Sequence, residues 1–89
     1  MATAMPLMDA SPNPNALKFE LDTTLAETLS FRSKDDAEAA GNRFAAAVMG
    51  VEGVISLFGT NDFVTVTRKP EAPWDPIIEA VQAAAETDL

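Results

Sequence analysis

The feature that most narrows this chain's fold is its hydrophobic period, which alternates between two and about 3.6 along 89 residues. In "ALKFEL", Leu17, Phe19 and Leu21 fall on one side and Lys18 and Glu20 on the other, the pattern of a strand with one wet face. "AMPLMD" predicts a short strand ahead of it, restricted by Pro6 to an edge or an end. "ETLSFRS" predicts a further strand, with Leu29 and Phe31 on one face. Ser33 then opens a single predicted helix running to Gly50. Ser33 and Asp36 have the spacing of a capping box, and Asp35, Asp36 and Glu38 suit the positive end of the helix dipole. Ala37, Gly41, Phe44, Ala45 and Val48 form its apolar stripe, and Gly50 suits the left-handed position that ends helices.

"GVISLFGTNDFVTVTRK" predicts a hairpin turning at "GTND". Ile55 and Leu57 are the inward pair of its first arm. Val64 and Val66 share a face of the second arm, with Phe63, Thr65 and Thr67 opposite. The chain closes with a helix striped by Trp74, Ile77, Ile78, Val81 and Ala84 or Ala85, with Pro73 or Pro76 in its first turn. The order β-β-α-β-β-α, joined by short connections, predicts neighbouring strands that are antiparallel and helices that share one face. The fold class is therefore α+β: a two-layer sandwich with a mostly antiparallel sheet, two helices on one face and the other face partly open. Residues 1–89 make one domain, with 1–10 a short edge strand or flexible and 86–89 frayed.

Cysteine and histidine are both absent. That removes disulfides, thiolate-held zinc or iron–sulfur clusters, imidazole ligands and the usual nucleophile–histidine pairs. No cofactor is expected; only a weak iron or magnesium site built from carboxylates stays open. With six basic residues against fourteen acidic ones and a net charge of −8, the surface repels nucleic acid and anionic membranes, leaving proteins as partners. No apolar run is long enough to span a bilayer, the N-terminus has no basic leader region, and a cytoplasmic monomer is the expectation.

The candidate contact residues are Asn13, Asn15, Lys18, Phe63, Arg68 and Lys69. In "SPNPNALKFEL" the prolines and amides are accounted for by a turn that aims a strand, yet Asn13 and Asn15 beside Lys18 also offer hydrogen bonds to an anion or a peptide. Lys18, Arg68 and Lys69 would form a small cationic cluster if their strands were adjacent. Phe63, with Thr65, Thr67 and Phe58, would lie on the open sheet face, either as a docking surface or under a covering loop. Trp74 reads as a core anchor of the last helix.

"NPNALKF", the "SF" of Ser30–Phe31, the "GV" of Gly53–Val54, "FG" at Phe58–Gly59, "DFVTVT" at Asp62–Thr67 and a tryptophan opening the last helix resemble the N-terminal domain of Nfu/NifU-like iron–sulfur scaffold proteins. In that family the domain precedes one bearing a Cys-x-x-Cys pair; here the resemblance implies a free-standing copy of the first domain. It implies the α+β architecture and a non-enzymatic accessory role in iron–sulfur cluster assembly, with assembly factors or cluster-client proteins as partners. Iron binding follows only by family association, and no catalytic residue is implied. The alternative reading is a binding domain for an anionic ligand or phosphopeptide centred on Asn13–Lys18.

Overall fold

The computed structural model describes residues 3–7, 15–25 and 28–89. Five strands and three helices follow in the order β1 (Ala4–Leu7), β2 (Ala16–Leu21), β3 (Leu29–Phe31), α1 (Lys34–Ala39), α2 (Arg43–Met49), β4 (Val54–Thr60), β5 (Phe63–Arg68) and α3 (Trp74–Asp88). The strands form one sheet in the order β1-β2-β5-β4-β3, every pair antiparallel. The predicted α+β sandwich is therefore present, with its helices on one side.

Alternation sets the sides. Leu17, Phe19, Leu21, Leu57, Val64 and Val66 are buried, and with Phe44, Ala45, Val48, Ile77, Val81 and Ala85 they make one core. Pro6 sits in edge strand β1, where a missing N–H interrupts no inner ladder. The end of β1 is fastened reciprocally: Thr3 N–H donates to Asp22 Oδ1 at 2.8 Å, and Asp22 N–H donates to the Thr3 carbonyl at 3.2 Å. Gln82 Nε2 on α3 donates to the Ala4 carbonyl at 3.3 Å, tying the last helix to this edge.

The sequence expectations are corrected in four parts of the chain. The helix expected from Ser33 to Gly50 is two helices, α1 and α2. Gly41 takes φ 71°, a conformation an L side chain resists, and so turns the chain between them. Asn42 then caps α2, its Oδ1 accepting from Ala45 N–H at 2.9 Å, as the Ser33 hydroxyl accepts from Asp36 N–H at 3.1 Å for α1. Gly50 ends α2 in right-handed geometry (φ −74°), and the positive φ of this connection is found three residues on, at Gly53 (φ 96°).

The second correction concerns strand neighbours. β2 and β3 follow one another in sequence but are separated by β5 and β4. Leu25, which follows β2, lies at the far end of the β4–β5 hairpin, where its N–H donates to the Asn61 carbonyl at 2.6 Å. Third, Ile55 does not join Leu57 in the core. The β4–β5 register slips between Val54 and Ser56, and the extra residue is left 42% exposed. Fourth, Gly59 belongs to β4 and the turn is Asn61–Asp62, with Asn61 at φ 53°. No helix among the described residues is long and apolar enough to cross a membrane.

Candidate functional site

The sheet face away from the helices is built by the residues that alternate with the core. Its rows follow from the register. Glu20 pairs with Met5 and Phe63, and Phe63 with Thr60; Lys18 pairs with Leu7 and Thr65, and Thr65 with Phe58, which meets Ser30. Ala16, Thr67 and Ser56 make the next row. Serine and threonine hydroxyls and four larger apolar side chains therefore carpet this face. Lys18 and Glu20 are the only charged residues in these rows, although the chain as a whole carries −8.

Two apolar groups here stand in water: Met5 is 59% and Phe58 45% exposed. Phe58 protrudes because its neighbours across both ladders, Ser30 and Thr65, are small. Phe63 is half-buried and covered on one side by Lys18, whose Nζ lies 4.2 Å from the ring centroid. The two sit diagonally across the β2–β5 ladder, within reach of a long side chain. Towards the hairpin end the exposed residues Glu20, Asp22 and Asp62 form an acidic margin along the end of β2 and the turn. Leu21 N–H donates to the Asp62 carbonyl at 2.7 Å and holds the two chain segments together there.

The remaining candidates are dispersed. Arg68 alternates with Val64 and Val66 and so belongs to the helix side, opposite Lys18. Its guanidinium carbon lies 4.8 Å from the Trp74 ring centroid, and Nη1 donates to the Ala72 carbonyl at 2.7 Å. Arg68 thereby anchors the start of α3, and Trp74 is half-buried beneath it. Lys69 is exposed just after β5, its N–H donating to the Gly53 carbonyl at 2.7 Å. Lys18, Arg68 and Lys69 thus form no common cationic cluster, although β2 and β5 are adjacent. Asn15 is half-buried, and its carbonyl accepts from Arg68 N–H at 2.8 Å, a strand-launching role. Asn13 lies outside the described residues.

Two surface depressions lie off the open face. One, of about 600 Å³, is bordered by Thr23, Leu29, Asn42, Arg43 and Thr87; the other, of about 570 Å³, by Glu52, Gly53, Lys69, Ala72 and Pro76. Among the described residues, no group of three or more acidic side chains is placed to hold a metal ion. Met5 and the acidic margin were not singled out from sequence. Alternation along "AMPL" was the available signal for Met5, but the margin depends on β2 lying beside β5.

The family model described as "Scaffold protein Nfu/NifU N terminal" matches residues 7–89. The chain belongs to that family. Among curated relatives, "Conserved virulence factor C" of Staphylococcus aureus (strain USA300) is 30% identical over 77 residues, covering 86% of this chain and 20% of the relative. "NifU-like protein 4, mitochondrial" of Arabidopsis thaliana is 31% identical over 75 residues, covering 84% of this chain and 26% of that protein. The Nfu/NifU N-terminal chain thus spans about a fifth to a quarter of the length of the curated relatives it matches. The crystal structure of protein SAV1430 from Staphylococcus aureus superposes with a TM-score of 0.69 at 26% identity, covering 92% of this chain and 93% of that one. Its solution structure gives 0.66 at 28% identity, over 91% and 88% of the two chains.

Proposed function

We propose that this Nfu/NifU N-terminal chain is a non-enzymatic, monomeric interaction module that serves iron–sulfur cluster assembly by contacting assembly factors or cluster-client proteins. The observation that carries the reading is the family match over residues 7–89 in a sequence with neither cysteine nor histidine. A chain without those side chains has no thiolate or imidazole with which to hold a cluster, so its contribution is made through protein contacts. The open sheet face, with Phe58 and Met5 in water, supports that reading.

Affinity capture of the chain from its native cells, quantified by mass spectrometry, tests it. Enrichment of iron–sulfur assembly or client proteins over an unrelated acidic domain of similar size is the expected result. Recovery of no such protein at native expression would overturn the proposal.

A further inference from the structure

We propose that the open sheet face is the docking surface of this module, and that it takes one kind of partner: a protein surface with an apolar pocket bordered by lysine or arginine. This inference rests on the functional reading above and deepens it by naming the surface and the partner's chemistry.

Shape and charge argue for this occupant. Phe58 is a knob: an aromatic ring 45% exposed, between Ser30 and Thr65 in its own row, on a face whose side chains are otherwise mostly small or hydroxylated. A knob on a flat sheet needs its hole in the partner. The second large aromatic of the face, Phe63, already has Lys18 over it, so Phe58 is the aromatic anchor on offer. Glu20 lies one row towards the hairpin end and two strands away, about 12 Å from Phe58 by strand spacing and rise. With Asp22 and Asp62 it sets negative charge on that margin, and charge complementarity puts a basic group of the partner there.

The same facts disfavour a second copy of this chain. Two copies would bring −8 against −8, and would oppose Phe58 knobs on faces whose rows supply small residues rather than a pocket. Nucleic acid and anionic membranes are repelled by the same charge.

The test uses the full chain and the assembly or client protein recovered in the capture experiment, purified and titrated pairwise by calorimetry at about 50 and 300 mM salt, where screening differs strongly. Phe58→Ser should weaken binding about tenfold or more. Glu20→Lys should weaken it about threefold or more and flatten its salt dependence. Glu86→Lys on α3 makes the same change in net charge, from −8 to −6, and should leave affinity within about twofold, because its site is exposed on the helix side. Circular dichroism melts of each variant establish that it is folded.

Wild-type affinity in folded Phe58→Ser would overturn the docking surface while leaving the functional proposal standing. Equal losses in Glu20→Lys and Glu86→Lys would overturn the basic border. A wild-type dimer in sedimentation that Phe58→Ser dissolves would overturn the choice of occupant, since a second copy would then hold the face. Failure of the capture experiment itself, by contrast, would remove the functional proposal first.

Discussion

The ammonium of Lys18 rests 4.2 Å from the centroid of the Phe63 ring, joining two strands that lie side by side though more than forty residues separate them in sequence. The contact orders the charge of the open face: its one lysine is drawn over an aromatic ring, while Glu20 points into solvent. At an exposed site such a pair contributes about 0.5–1 kcal/mol. A double-mutant cycle with Lys18→Met and Phe63→Leu should return a coupling energy in that range from urea unfolding. A cycle that closes to zero would mean the pair contributes nothing measurable.

Arg68 does its work on the other side of the sheet. It stacks on Trp74 and donates to the Ala72 carbonyl, fixing the turn that feeds α3. Arg68→Lys should lower stability by about 1 kcal/mol, because an ammonium cannot both lie flat on an indole and reach that carbonyl. The urea midpoint should fall with an unchanged slope. Full stability in Arg68→Lys would show that the stacked geometry is dispensable.

Two glycines should fail for different reasons. A Cβ on Gly59 would lie 2.8 Å from Val64 Cγ1 and 3.0 Å from Leu25 Cδ1, so Gly59→Ala should cost about 1–3 kcal/mol through overpacking. Gly41 has open space around it, and its cost comes from φ 71° alone, about 1–2 kcal/mol for alanine. Asparagine, which tolerates that conformation, should recover much of the loss at Gly41 and worsen it at Gly59. Thermal melts of the four variants separate the two causes.

Much of the fold was legible because it depends on local pattern. Alternation in "ALKFEL" and "FVTVT" separates the buried from the open face, and the spacing of Ser33 to Asp36 marks the helix cap. The break at Gly41–Asn42 is masked in the sequence because Phe44, Ala45 and Val48 continue the stripe of Ala37 at helical spacing across the corner. A glycine followed by a cap residue was the available signal. Ile55 could not be placed, since a bulge depends on the partner strand and leaves the apolar pattern unchanged.

The candidate site was legible only in part, and for a related reason. Phe63, Thr65 and Thr67 fall on the open face by alternation, but that Lys18 meets Phe63 depends on register between distant strands, whereas its separation from Arg68 does not. Strand parity separates them: Lys18 alternates away from Leu17 and Phe19, while Arg68 alternates with Val66. Gly59 misled in the same way. Its place in "GTND" suggested the turn, whereas its lack of a side chain serves the packing of Leu25 and Val64.

The most direct test of the central claim is a map of which face a partner covers. Amide and methyl NMR spectra of the labelled chain should be recorded with and without the captured assembly or client protein. The open-face account predicts that the largest changes cluster at Ser30, Phe58, Thr60, Phe63 and Thr65, with Glu20 at their margin. Changes concentrated instead on the exposed positions of α2 and α3, with Phe58 unmoved, would contradict it.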